Sequence, residues 1–196
     1  MGRSYGAVLN RAAIRVARQK DAGSSRSSST NAGTTNVRNG QQFSAVNIRY
    51  RMTVNAMTNN LQRFIDAQNT DYQTALAEIR NGRKRSHWMW YIFPQIQGLG
   101  SSDTAKFYAL KDAREAADFL AHPVLGSRLL EIGTALLGLA SGDAHSLLGS
   151  PDDLKLKSSM TLFASLHANP VFQKVLDKFY GGAQDDKTLR ILAARD

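Results

Sequence analysis

The stretch Ser150-Pro-Asp-Asp-Leu-Lys-Leu-Lys-Ser-Ser-Met-Thr-Leu-Phe163 decides the fold. A hydroxyl residue, a proline at the first position and two carboxylates against the amino end are the signals that open a helix. They predict one running to about His167, with Leu156, Met160 and Phe163 on one stripe. Asn169-Pro170 repeats the signal ahead of Val171, Phe172, Val175, Leu176 and Phe179, and Gly181-Gly182 closes that element. Working backward, Asp143 starts a short element ending at Gly149. Pro123 at a first helical position leads Val124, Leu125, Leu129, Ile132 and Leu136 along one face. Asp112 with Glu115 makes a capping-box pair for Ala113 to Ala121, and Asp103 opens a turn or helix through Ala105 to Leu110. Leu61, Phe64 and Ile65 give one short stripe. Thr70 with Gln73 then caps a separate helix whose apolar face is Tyr72, Leu76 and Ile79, stopped by Gly82. A last helix begins near Asp186 and carries Leu189 and Leu192. No long alternating strand pattern and no internal repeat is present, so the reading is all-α: a single compact domain of several short helices.

Composition narrows the class. The 196 residues are 42% hydrophobic and contain no cysteine, which excludes disulfides, thiolate zinc sites, iron–sulfur clusters and cysteine nucleophiles. No apolar run reaches the roughly 18 residues of a membrane span, so a soluble, cytoplasmic protein without membrane attachment is expected. The net charge of +9 is unevenly placed: residues 1–56 hold nine basic residues and one acid, Asp21, leaving 16 basic and 15 acidic residues in the remainder. A body so nearly neutral argues against nucleic-acid binding by the body. Residues 21–50, rich in Ser, Gly, Asn and Thr, read as disordered. Ala7 to Arg18 reads as a short basic helix similar to an organelle presequence. The division expected is therefore a disordered basic extension or misassigned start over 1–56, with Met52 and Met57 as alternative initiators, and an all-helical domain over 57–196.

The chemistry concentrates in Arg85-Ser-His-Trp-Met-Trp-Tyr-Ile-Phe-Pro-Gln95, which holds both tryptophans of the chain. Rings of this size each bury about 150–250 Å², so they form core or bind something. Periodicity does not decide between helix and strand here, but Pro94 pushes Phe93 out of the α region, and Gln95 to Ser102 reads as a glycine-rich loop. Basic residues Arg80, Arg83, Lys84 and Arg85 precede the run. The four histidines lack the close helical spacing of a metal site. His122 reads as a cap, His145 has a turn-like setting, and His167 reads as a partly buried packing residue. His87 alone combines aromatic, cationic and glycine-rich neighbours, the setting in which an acid or base gains from a tuned pKa. A histidine bonded within an aromatic core explains it equally. Lys155 is a helical neighbour of Ser158 and Ser159, so an ammonium and a hydroxyl face one anion. Alternatively, these residues, with Lys157, are a solvated face. Asp185, Asp186 and Thr188 are explained by capping.

Four blocks in order carry a family resemblance: Arg85 to Ser102, His122-Pro-Val-Leu-Gly-Ser-Arg-Leu130, Asp153 to Phe163, and Asp186-Lys-Thr-Leu189. Together they resemble domain-of-unknown-function family 1810 and cover the body from about Leu61 to Leu192. The resemblance implies a mainly helical single domain and no established activity. Some relatives carry the label calpastatin, but calpain-inhibitor segments are flexible and proline-bearing, unlike this aromatic-cored chain, and the label is set aside.

The functional expectation is a small anionic, nucleotide-like metabolite held near the aromatic run by Arg85, Trp88, Trp90, Gln95, Gly98, Gly100, Lys155, Lys157 and Ser158. His87 is the candidate acid or base if catalysis occurs, no metal is expected, and neither a cofactor nor a protein partner is assigned. The alternative is a protein-interaction or scaffolding module whose aromatic run is only core.

Overall fold

The computed structural model describes the backbone of residues 45–195 and the side chains of residues 61–195. The readings made for residues 1–44 lie outside the described residues. The chain divides after Met52, and every side chain described below belongs to the unit from Thr53 onward. Nine helices are present among the described residues: α1 Ala45–Arg80, α2 Met89–Ile92, α3 Asp103–Phe107, α4 Ala113–Ala121, α5 Leu125–Gly138, α6 Ala144–Leu148, α7 Asp152–Ser165, α8 Val171–Tyr180 and α9 Asp186–Ala193. No strand forms among them; Ile96 and Leu110 make one isolated parallel bridge.

The two separate helices expected around Leu61 and Thr70 are one. Helix α1 is continuous for 36 residues, and its backbone is already helical at Ala45, inside the stretch assigned to the extension. Its buried face runs Leu61, Phe64, Gln68, Tyr72, Ala75, Leu76 and Ile79, a helical spacing of three and four. Gln68 hides the continuity, because a polar residue on that face divides the apolar pattern in two. Its amide is satisfied by donating to the Tyr91 carbonyl at 2.7 Å, which makes its burial tolerable. Thr70 is an exposed mid-helix residue and caps nothing.

Helix α7 is the central element, burying Leu156 and every residue from Ser158 to Ala164. A single apolar stripe therefore understates its burial. The capping reading of Ser150 is corrected: Pro151 holds the N-cap position without a side-chain bond, and the two acids Asp152 and Asp153 supply the favourable charge at that end. The helix ends at Ser165, and His167, at φ 51°, is exposed. Its assignment as a packing residue is thus overturned. Around α7, aromatic rings link four helices: Phe64 to Phe119 at 5.1 Å edge-on, Phe119 to Phe163 at 5.7 Å and Phe163 to Phe172 at 5.4 Å between centroids. Such tilted and edge-on pairs add about 0.5–1.5 kcal/mol each beyond area burial.

The caps explain most other boundaries. Asp112, Asp143 and Asp185 each accept a backbone N–H three residues on, at 2.8, 3.0 and 2.8 Å. Asn169 Oδ1 accepts the N–H of Val171 at 2.9 Å. Helix α5 starts two residues after Pro123, at Leu125, because His122 Nδ1 takes the N–H groups of Val124 and Leu125 at 3.2 and 3.3 Å. Helix α4 then meets α5 so closely that a Cβ on Gly126 would lie 1.9 Å from the Leu120 carbonyl oxygen. At the other end of α5, the Lys178 ammonium donates to the carbonyls of Leu136 at 3.3 Å, Leu137 at 2.9 Å and Leu139. That places a cation where the helix dipole favours it.

Candidate functional site

The segment between α1 and α2 is shaped by one carboxylate. Glu78, in the last turns of α1, accepts the backbone N–H of Arg85 at 2.8 Å and of Ser86 at 3.1 Å. It also takes the Ser86 hydroxyl at 2.5 Å and the indole N–H of Trp88 at 2.8 Å. Burial alone would raise the Glu78 pKa, but these donors outweigh it and bring the carboxyl down to about 2. The donors lie seven to ten residues downstream, so Glu78 folds the basic loop back onto its own helix. The result seats Trp88, at 1% exposure, in the core.

Lys84 is fixed by the same loop. Its N–H donates to Leu147 at 2.8 Å, and its ammonium lies 5.3 Å from the centre of the Trp88 ring. That ammonium also reaches Asp152 Oδ2 at 2.8 Å, while Lys155 Nζ takes Asp152 Oδ1 at 2.7 Å. Lys155 in turn stands 4.7 Å from the ring centre of half-buried Trp90. One carboxylate thus joins two ammonium groups, each over the face of a different tryptophan. All three charged side chains are largely enclosed, at 10% exposure for Lys84, 15% for Asp152 and 19% for Lys155. Burial pushes the Asp152 pKa up, and the hydrogen bonds and charges of Lys155 and Lys84 bring it below the ordinary range. On the same face of α7, one turn beyond Lys155, the buried Ser158 hydroxyl meets the Gln95 amide at 2.5 Å.

The residues singled out from the sequence separate accordingly. Trp90, Gln95, Lys155 and Ser158 join this constellation through direct contacts. Trp88 belongs to it from beneath, as core. Lys157 does not face the same way as Lys155: two residues along a helix turn the side chain by about 200°, and its ammonium lies 5.9 Å from the Tyr180 ring. The Arg85 and His87 side chains are exposed. The backbone of each serves the loop, Arg85 through Glu78 and His87 through its carbonyl, which accepts the Tyr91 hydroxyl at 3.1 Å. Gly98, at φ 109°, lies against Ile191 and Arg195, and a Cβ on Gly100 would come within 2.4 Å of Ala105. These two glycines therefore serve a turn and close packing.

Lys84, Asp152 and Glu78 are the residues of this constellation that sequence reasoning missed. Lys84 was visible as part of the basic run, and Asp152 as a helix-opening acid. Their meeting required the loop closure that Glu78 performs. An open groove of about 360 Å³ lies elsewhere, lined by Arg80, Leu130, Glu131, Thr134 and Ala135, and shares no residue with the two tryptophan–lysine pairs. Among the described residues no group of three His, Cys, Asp or Glu side chains is placed to hold a metal ion, and no helix is long and apolar enough to cross a membrane.

Comparison with known proteins adds the family. Residues 58–192 match the model described as protein of unknown function (DUF1810). The chain belongs to the DUF1810 family. No curated protein matches it. Among solved structures this DUF1810 chain is similar to the 1.38 Å crystal structure of the conserved hypothetical protein Rv1873 from Mycobacterium tuberculosis. The TM-score is 0.67 and the identity 45%, over 68% of this chain and 96% of that one. The first three blocks quoted from the sequence fall wholly within the family match, as does the fourth, Asp186 to Leu189.

Proposed function

We propose that this DUF1810 chain binds a small anionic, nucleotide-like ligand where the segment from Lys84 to Gln95 meets α7. The observation that carries the reading is the pair of enclosed lysines sharing a single carboxylate beside a half-buried indole. The two ammonium groups outnumber the one carboxylate they share, in surroundings partly shielded from water. An anion gains more there than at an open surface. Trp90 adds a flat apolar wall of the kind that accepts a base or other ring, and Gln95 with Ser158 adds hydrogen-bonding groups. Arg83 and Arg85, both exposed on the same loop, add a positive field that draws anions toward it. Should the ligand be chemically altered, exposed His87 is the acid or base this reading assigns.

The burial of Trp88, Met89, Ile92 and Phe93 supports a second reading, a scaffolding or protein-interaction module in which the aromatic run is only core. One experiment separates the two. Thermal unfolding of the full chain is followed with nucleoside mono- and diphosphates, inorganic pyrophosphate and phosphorylated metabolites, for wild type and Lys155→Ala. Anion binding gives a saturable rise in the wild-type midpoint that Lys155→Ala abolishes. Absence of any rise, or a rise of equal size in the variant, rejects it in favour of the scaffold.

A further inference from the structure

Asp152 accepts one ammonium on each of its two oxygens, Lys84 at 2.8 Å and Lys155 at 2.7 Å. The segments that carry the two lysines have anchors besides Asp152. Lys84 is carried by a loop pinned through its own N–H on Leu147 and through the Glu78 bonds to Arg85, Ser86 and Trp88. Lys155 rises from the second turn of α7 and lies over Trp90. Neutralising Asp152 therefore removes a negative charge from a cation pair whose backbone anchor and indole contacts lie elsewhere.

Resting on the anion-binding reading above, we propose that Asp152 is an intramolecular competitor, whose carboxylate holds the two ammonium groups that the ligand's anionic group takes over on binding. The exchange favours one chemical class. A carboxylate ligand offers the same single charge and two oxygens as Asp152 itself, and so gains little by replacing it. A phosphate or diphosphate group brings more charge and at least three strong acceptor oxygens. Arg83 and Arg85, exposed and without an ion pair among the described residues, stand on the same loop to meet the additional charge of a diphosphate. Asp152 thereby sets a threshold that phosphorylated ligands pass and simple carboxylates do not.

The test is isothermal titration of the full chain, wild type and Asp152→Asn, with inorganic pyrophosphate and separately with acetate. Removing a like charge from beside the bound anion is expected to tighten pyrophosphate binding by about tenfold or more and to let acetate bind measurably for the first time. Pyrophosphate affinity that is unchanged or weaker in a folded Asp152→Asn protein overturns the competitor role, making Asp152 a brace for the lysines while leaving the site itself intact. Pyrophosphate binding to neither protein removes the competitor together with the site reading on which it rests. If Asp152→Asn does not fold, the wild-type side-chain carboxyl 13C resonance of Asp152 is followed during pyrophosphate titration. Movement with saturation, together with shifts of the Lys84 and Lys155 ammonium signals, is the expected result, and a stationary Asp152 resonance while the ammonium signals shift overturns the exchange.

Discussion

Replacing Glu78 with glutamine isolates the contact that shapes the loop. The carboxylate accepts two backbone N–H groups, a hydroxyl and an indole N–H, and each hydrogen bond to a charged group contributes about 1.5–3 kcal/mol. These contributions are not additive, and solvent screening reduces them at a partly exposed side chain. Glutamine keeps one acceptor oxygen but turns an NH2 toward donors. A net loss of about 2 kcal/mol follows, equivalent to roughly 4–8 °C for a chain of this size. Guanidinium denaturation followed by near-ultraviolet circular dichroism measures it, and tryptophan emission shifts to the red as Trp88 loses its anchor. The pH dependence supplies a sign. Because the folded carboxyl titrates at about 2 rather than at 4.5, the wild-type advantage over Glu78→Gln is complete above pH 4.5 and disappears as pH falls toward 2. A Glu78→Gln protein within about 0.5 kcal/mol of wild type, with unmoved emission, would refute this account of the loop.

Other positions have definite expected signs. Gly126→Ala drives a methyl to within 1.9 Å of the Leu120 oxygen and should cost at least about 2 kcal/mol. Gly138→Ala, at the end of α5 with nothing within 4 Å, should stabilise by up to about 1 kcal/mol; chemical denaturation of the pair reads both. The Ser159 hydroxyl is fully buried with no hydrogen-bond partner among the described residues, so Ser159→Ala should be at least as stable as wild type, and a loss above about 1 kcal/mol would show that the hydroxyl is bonded. Lys178→Met removes the ammonium from the carbonyl end of α5 and should lower stability by about 2 kcal/mol, read as earlier hydrogen exchange of the last turn of α5.

Elements whose signals are local were legible in the sequence. Asp112, Asp143, Asn169 and Asp185 cap the helices that follow them because a short polar side chain reaches N–H groups only two or three residues away. Phe93 leaves the α region, at φ −121° and ψ 71°, because the ring of Pro94 demands it. Where a signal depended on distant partners, the reading failed. Gln68 divided α1 in two because its burial makes sense only beside the Tyr91 carbonyl, 23 residues away. Lys155 and Lys157 looked equivalent in sequence, yet helical geometry sends one to Trp90 and the other to Tyr180. Lys84 and Asp152, 68 positions apart in the numbering, reveal nothing of each other until the loop closes.

The two tryptophans of the chain allow the most direct test of anion binding at the Trp90–Lys155 pair. Each contributes one indole N–H signal in a 1H–15N spectrum of the full chain, and Trp90→Phe assigns them. Titration with inorganic pyrophosphate or ADP is expected to move the Trp90 signal to saturation while Trp88, sealed in the core and bonded to Glu78, stays nearly still. Two stationary indole signals at millimolar concentrations of both anions would contradict the claim and leave the aromatic run as packing alone.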